Sequence, residues 1–181
     1  EDLLQSGADI PEPTVEATNK NEKNEEKHVL GIEKELFTVA TGEVIALTDV
    51  NDPVFSQKMM GDGFAVIPAT GEVTAPLSGK IVSVFPTKHA IGMQTAEGAE
   101  VLIHMGLDTV QMSQPAFEIL VSEGQEVVAG TTIAQMNLDA IKNEGKETTI
   151  IVVFTDDKVN GLTINKLGDT ERGTVIGKIN L

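Results

Sequence analysis

The sequence predicts an all-β fold, an antiparallel β-sandwich or barrel of many short strands with a few short helical turns. Short runs rich in β-branched residues alternate with Gly, Pro and Asp at regular intervals from about residue 37 onward. Helical periodicity is weak over the same part of the chain. The predicted strands include residues 41–45, 63–67, 71–74, 79–85, 126–128, 149–154 and 174–179.

Two short helical turns are expected among these strands, at residues 116–123 and 138–145. The second ends at Gly145, and helices commonly end at a glycine. The longest fully apolar run is Ile150 to Phe154, which has the length of a strand. It is far shorter than the roughly 18 residues of a membrane span, so no direct membrane insertion is expected.

Residues 1–36 differ in composition from the rest of the chain. They carry 10 acidic and 4 basic residues and few large apolar side chains, so they cannot offset the entropy of becoming ordered. We interpret 1–36 as a flexible acidic linker and 37–181 as one folded domain. Because the chain starts at Glu1 with no signal-peptide pattern, we expect it to be part of a longer polypeptide in the cytoplasm.

Charge and composition exclude several classes of function. The net charge of −15 argues against binding to nucleic acid or to an anionic membrane, and it favours a basic protein partner. The chain has no Cys, Trp or Tyr, which excludes disulfides and cysteine nucleophiles and disfavours base-stacking surfaces. Neither a P-loop nor a His-Glu-x-x-His motif is present.

A pair of histidines is the strongest candidate for chemistry. His89 and His104 flank a hairpin turn within Thr95–Ala99. A two-residue turn at 96–97 or 97–98 makes the numbers of opposed residues sum to 193 or 195, and either register places both histidines on one face of the sheet. A loop of odd length would place them on opposite faces. Thr87, two residues before His89, is expected on the same face as that histidine.

Two facing imidazoles cannot both become charged cheaply near neutral pH. One of them is then neutral, with a ring nitrogen free to attack an electrophile or to bind a metal. The Thr87 hydroxyl is well placed to select the tautomer of a neighbouring imidazole. The spacing alone leaves open whether these residues are functional or ordinary.

Five motifs together resemble the glucose-type enzyme IIA domain of the bacterial sugar phosphotransferase system. The motifs are Asp52-Pro-Val-Phe55, Lys58-Met-Met-Gly-Asp-Gly63, Ala75-Pro-Leu-Ser-Gly79, Thr87-Lys-His-Ala-Ile91 and Leu102-Ile-His-Met-Gly-Leu-Asp-Thr-Val110. They occur in the order and spacing of that family, and the resemblance extends from about residue 37 to the C-terminus.

The resemblance implies a β-sandwich that receives a phosphoryl group from the phosphocarrier HPr and passes it to a cysteine of a IIB domain. It implies that His104 is phosphorylated, that His89 stabilises the phosphoryl group and that Thr87 orients His89. It also implies that Asp52 and Asp108 flank the site and contact a partner. An apolar docking rim is implied at Val54, Phe55, Met59, Met60, Phe85, Ile91 and Leu102, although a place in the ordinary core stays open for each.

Three alternatives remain at this point. The same domain, fused to a secondary sugar permease at the cytoplasmic face of the membrane, would regulate transport by being phosphorylated. A zinc peptidase would need a His-x-His pair and further ligands, whereas His104 is followed by Met105-Gly106. A biotin- or lipoyl-carrier module would need a lysine at a hairpin tip, whereas Lys80 begins a predicted strand. No magnesium or nucleotide motif is present, so we expect no cofactor.

Overall fold

Short strands make up most of the described part of this computed structural model, residues 31–181. The first seven are β1 (Glu33–Phe37), β2 (Gly42–Ala46), β3 (Asp62–Pro68), β4 (Glu72–Thr74), β5 (Gly79–Val84), β6 (Ala90–Gln94) and β7 (Glu100–Met105). The others are β8 (Phe117–Ile119), β9 (Glu126–Val127), β10 (Thr132–Met136), β11 (Ile150–Phe154), β12 (Gly161–Ile164), β13 (Gly168–Thr170) and β14 (Val175–Asn180). The helices are α1 (Pro53–Ser56), α2 (Leu138–Asn143) and two 3₁₀ helices, Leu47–Asp49 and Thr109–Gln111.

The strands form three sheets in which every pairing is antiparallel. The largest has eight strands in the order β13-β2-β3-β11-β7-β6-β5-β9, and the two smaller sheets have the orders β1-β14-β12 and β4-β10-β8. The eight-stranded sheet is open, since it ends at β13 on one side and at β9 on the other. The all-β prediction is therefore confirmed, and of its two forms the sandwich is the one observed.

Strand β11 of the eight-stranded sheet is covered by apolar side chains on both faces. Ile150, Val152 and Phe154 belong to the main core, which also contains buried residues of the two smaller sheets. Ile151 and Val153 belong to a second apolar cluster on the other face. A strand that is buried on both faces has no reason to alternate with polar residues, which explains the continuous apolar run in the sequence.

One of the two predicted helical turns is confirmed and the other is wrong. Helix α2 begins after Asn137, whose side chain accepts a hydrogen bond from the Ala140 N–H at 3.0 Å. Residues 116–123 instead contain β8, which pairs with β10. Partnership with another strand decides the conformation there, and local helical preference does not. Helix α1 was not predicted, although Asp52-Pro53 is a common way to start a helix.

The folded part begins earlier than the predicted boundary at residue 37. Strand β1 starts at Glu33 and pairs with β14, and Leu36 is fully buried in the main core. The sequence interpretation placed residues 33–36 in the linker because it did not identify their partner strand. Residues 1–30 of that predicted linker lie outside the described residues. Within residues 31–181, no helix has the length and apolar character needed to cross a membrane.

We predict that strand β1 is required for stability. Replacement Leu36→Ala should lower the free energy of unfolding by about 2–5 kcal/mol, because a fully buried leucine side chain leaves a cavity in the core. The matched control is Ile32→Ala, at a side chain that is 51% exposed, and it should change stability by less than about 1 kcal/mol. Urea unfolding of both variants measures the difference, and equal effects would contradict the assignment of β1 to the core.

Candidate functional site

His104 lies on a central strand of the largest sheet. Strand β7 pairs with β11 on one side and with β6 on the other, and His104 is opposite Ile151 and Ala90. The side chains of Val101, Ile103 and Met105 enter the main core, so alternation along the strand places His104 on the face of the second apolar cluster. This cluster consists of Leu47, Val50, Phe55, Ala65, Leu107, Ile151 and Val153, with Ile45 and Leu102 packed against it.

The predicted hairpin register is wrong, although the predicted meeting of the two histidines is correct. Ala90 pairs with His104 and Gln94 pairs with Glu100, so opposed residues sum to 194 and the loop has an odd length. Regular alternation in this register would put His89 and His104 on opposite faces. Their ring centroids are nevertheless 4.9 Å apart, with the ring planes at 80°.

The turn before β6 explains how the histidines meet. His89 lies outside β6, and Lys88 before it has a left-handed backbone with φ of +64°. The turn is closed by a hydrogen bond from the Lys88 N–H to the Phe85 carbonyl at 2.7 Å, and the Met105 N–H donates to the His89 carbonyl at 2.7 Å. Because Lys88 interrupts the extended conformation, the side chain of His89 does not follow the alternation of the strand.

Two phenyl rings flank the imidazole pair. The Phe55 ring of helix α1 is 5.1 Å from the His104 ring, and the Phe85 ring is 5.5 Å from the His89 ring in an edge-to-face arrangement. These distances are typical of favourable aromatic contacts. Both imidazoles are therefore held in an apolar setting, with His89 only 6% exposed.

Hydrogen bonding distinguishes the two nitrogens of each imidazole. The Thr87 hydroxyl and His89 Nδ1 are 2.5 Å apart, which confirms the predicted contact and leaves Nε2 of His89 for another partner. Nδ1 of His104 is buried from solvent and has no hydrogen bond of ordinary geometry among the described residues. The nitrogen of His104 that remains for chemistry is therefore Nε2.

The surroundings keep His104 neutral. Burial, followed by the charge of a protonated His89, lowers the pKa of His104 from 6.5 to about 4. The backbone of Gly106 and the negative charges of Asp52 and Asp108 act in the opposite direction and only partly offset this shift. Burial also lowers the pKa of His89. At neutral pH both rings are therefore uncharged, and His104 retains a nucleophilic lone pair.

The two predicted aspartates lie beside this ring on different loops. Asp52 precedes α1 and accepts a hydrogen bond from the Val54 N–H at 2.9 Å, as a helix cap does. Asp108 precedes the second 3₁₀ helix with φ of +62°, and its side chain is exposed. Both carboxylates influence the pKa of His104, so folding has brought together residues that are 56 positions apart in the sequence.

The structure separates the predicted apolar rim into exposed and buried members. Val54, Met59, Met60 and Phe85 are exposed by 37–69% and are available to a partner, while Leu102 is partly buried. Phe55 is 7% exposed and packs against His104. Ile91 is fully buried in the main core, so its assignment to the rim is wrong. In β6 it alternates into the layer between the sheets.

Sequence reasoning assigned no role to several residues around the site. Val110, the last residue of the motif that carries Asp108, lies in the second 3₁₀ helix and is 49% exposed. The Thr109 hydroxyl donates to the Met105 carbonyl at 2.6 Å. Lys146 contacts the Asp108 backbone from a distant part of the chain, and no sequence signal pointed to it.

Within residues 31–181, no cluster of three or more His, Cys, Asp or Glu side chains has the arrangement of a metal site.

The family model and the individual relatives that match this chain all belong to one transport system. Residues 34–159 match the family model for the phosphoenolpyruvate-dependent sugar phosphotransferase system, EIIA 1. The whole chain aligns with the glucose-specific EIICBA component of Streptococcus pneumoniae at 44% identity and spans 25% of that protein's length. The glucose-specific EIIA component of Staphylococcus aureus is 46% identical over 67% of this chain and 73% of its own length. A glucoside-specific EIICBA component of Staphylococcus carnosus is 41% identical over 80% of this chain and 21% of its own length.

A solved structure supports the same relationship. The glucose permease IIA of Mycoplasma capricolum superposes with a TM-score of 0.76 and 37% identity, covering 81% of this chain and 96% of that protein. The matching family model covers more than half of the chain and includes both histidines. The chain therefore belongs to the EIIA 1 family of the phosphoenolpyruvate-dependent sugar phosphotransferase system and is an EIIA phosphotransferase component.

Proposed function

We propose that His104 carries a phosphoryl group that arrives from phospho-HPr and leaves to a cysteine of a IIB domain. The observation that carries this proposal is the state of His104, an imidazole kept neutral by burial and facing a second imidazole at 4.9 Å. Such a group is nucleophilic at pH 7 and needs no separate base to activate it.

The transfer step needs one lone pair and one leaving group. Nε2 of His104 attacks phosphorus and forms a P–N bond, while the bond from phosphorus to the donor atom breaks and its electron pair returns to the donor. Nδ1 keeps its proton, since only the tautomer protonated there leaves Nε2 with a free lone pair. Positioning and charge stabilisation account for most of the catalysis in such transfers.

His89 supplies the hydrogen bond that the new phosphoryl oxygens need. If the Thr87 hydroxyl donates to Nδ1, the ring carries its proton on Nε2 and donates from there. A hydrogen bond to an anionic oxygen is stronger than one between neutral groups, and the apolar setting strengthens it further. Thr87 is thus a positioning residue, and His89 contacts the reacting group.

Docking is proposed to use the exposed apolar rim together with Asp52 and Asp108. Val54, Met59, Met60 and Phe85 present apolar surface near the buried His89 and the partly buried His104, which limits the access of water to the phosphorylated ring. Carboxylates next to a phosphoryl group repel it, so their presence is best explained by cations on the incoming donor.

Two relatives favour a role in phosphoryl relay over regulation of a permease. The Streptococcus pneumoniae and Staphylococcus carnosus proteins are EIICBA components, in which an EIIA part accompanies a IIB part. We infer a IIB partner in the same polypeptide or complex, and hence a location at the cytoplasmic face of the membrane. The sugar is proposed to be glucose or a glucoside, with its selectivity determined by the IIB and membrane parts.

The first prediction of this mechanism concerns the two histidines. Replacement His104→Gln should abolish acceptance of the phosphoryl group from phospho-HPr, because no ring nitrogen remains to attack. Replacement His89→Gln should still accept it, since an amide N–H can replace the imidazole donor, but should pass it to a IIB domain more slowly. Mass spectrometry of the phosphorylated protein checks the site, and a phosphoryl group on His89 would reverse the assigned roles.

The second prediction concerns the protonation of His104. NMR titration should give a pKa near 4 in the wild type and a higher value in His89→Gln, where the repulsion from a protonated neighbour is absent. Between pH 6.5 and 4 the unfolded chain binds a proton that the folded chain does not, so wild-type stability should fall by up to about 3 kcal/mol on acidification. The His104→Gln variant should not show this part of the loss of stability on acidification. A wild-type pKa near 6.5 would contradict the desolvated site.

The third prediction concerns Asp108. Replacement Asp108→Asn should weaken association with phospho-HPr without unfolding the domain, because the exposed side chain keeps its size. Added salt screens charge, so the wild type should lose association rate with ionic strength more steeply than the variant. Stopped-flow kinetics at several salt concentrations measure this slope. Equal slopes would show that Asp108 has no electrostatic role in docking.

A further inference from the structure

One short segment holds both loops that carry the site aspartates. We call this segment, Glu144–Glu147, the brace; it follows α2, and its Lys146 N–H donates to the Ile141 carbonyl at 3.2 Å. The brace contains none of the motif residues, and the mechanism proposed above does not use it. Its contacts with the two loops nevertheless involve three of its four residues.

Lys146 contacts the loop of Asp108 directly. Its ammonium donates to the Asp108 carbonyl at 2.8 Å and to the Gln111 carbonyl at 3.1 Å, so it joins the two ends of the second 3₁₀ helix. Asp108 has a left-handed backbone, which costs energy for a residue other than glycine and persists only when the surroundings hold it. The charge-assisted bond from Lys146 to its carbonyl is such a restraint.

The rest of the brace secures the same loop at both sides of Lys146. The Glu144 carboxylate accepts hydrogen bonds from the Ser113 N–H at 3.1 Å and the Ser113 hydroxyl at 2.8 Å. These bonds are the main reason that the pKa of Glu144 is lowered. The Glu147 carbonyl accepts from the Leu107 N–H at 3.0 Å. The segment from Leu107 to Ser113 is therefore bonded to the brace at its start, its middle and its end.

The brace also contacts the loop of the second aspartate. The Glu147 carboxylate accepts a hydrogen bond from the Asn51 side-chain amide at 2.7 Å, and Asn51 immediately precedes Asp52. Asp52 and Asp108 are thus held from one place, although they lie on different loops. The brace therefore links the two loops that carry the carboxylates.

We propose that Lys146 is a positioning residue for Asp108, and that the brace sets the arrangement of the two aspartates that the donor protein meets. This inference rests on the proposed function, since it assigns Asp108 to donor docking. Lys146 does not touch His104 in this arrangement, so its loss affects recognition of the donor and leaves the chemical step intact.

The test compares Lys146→Met with a matched control, Lys142→Met, in the full 181-residue chain. Lys142 is exposed on the neighbouring helix and makes no side-chain hydrogen bond or ion pair to any residue within 31–181, and its replacement changes the net charge equally. With phospho-HPr as donor, Lys146→Met should raise KM about three- to tenfold and leave kcat within about twofold, whereas the control should change neither by more than about twofold. Lys146→Gln, which keeps a donor group, should lie between the wild type and Lys146→Met.

A double mutant distinguishes action through Asp108 from an independent effect. Combining Lys146→Met with Asp108→Asn should raise KM no further than the stronger single change does, since both act on one docking group. An increase of KM in the double mutant equal to the product of the two single increases would overturn the inference. A Lys146→Met variant that behaves as the Lys142→Met control would also overturn it. If Lys146→Met does not fold, the same comparison is made with Lys146→Gln.

A second measurement separates failure of this inference from failure of the proposed function. Backbone amide NMR signals of residues 106–113 should shift in Lys146→Met and stay in place in Lys142→Met, with no donor present. A wild type that accepts nothing from phospho-HPr would refute the proposed function, whereas unchanged amide signals in Lys146→Met would refute the positioning role alone.

Discussion

The chemistry proposed for this site depends on the partial desolvation of His104. An exposed imidazole would be partly protonated near neutral pH and would lose nucleophilicity, whereas burial lowers the pKa of this ring to about 4. The facing ring of His89 acts in the same direction, because a second positive charge so close is unfavourable. The Asp52 and Asp108 carboxylates oppose the shift without cancelling it, so the site has negative charges nearby and still keeps a neutral imidazole.

The sheet provides this environment because it is covered on both faces. The main core packs against one face of β7 and β11, and the second apolar cluster covers the other, so a side chain on the second face is desolvated without entering the main core. His104 occupies that position, and Phe55 of α1 packs against its ring. A helix of only four residues is therefore important to the site, since it supplies both this ring and the cap residue Asp52.

Backbone strain concentrates in the loops around the two histidines. Among residues 31–181, the non-glycine residues with positive φ are Lys58, Lys88 and Asp108. Lys58 precedes the exposed Met59 and Met60, Lys88 precedes His89, and Asp108 follows the His104 strand. Such conformations cost energy and persist where surrounding contacts impose them, which is common at functional sites. Here they occur next to an imidazole, at a carboxylate-bearing residue and next to two exposed methionines.

Sequence pattern by itself determined the fold class, most of the strands and the family motifs. Strand patterns and motifs are local, so they are visible along one chain. The tertiary structure decided the start of the fold at Glu33, the strand at 117–119, the burial of Ile91, and the contacts of Lys146 with the Asp108 loop. Each of these depends on a partner far away in the sequence. The histidine pair shows the difference most clearly, because the predicted register was wrong and a left-handed residue at Lys88 brought the two rings together.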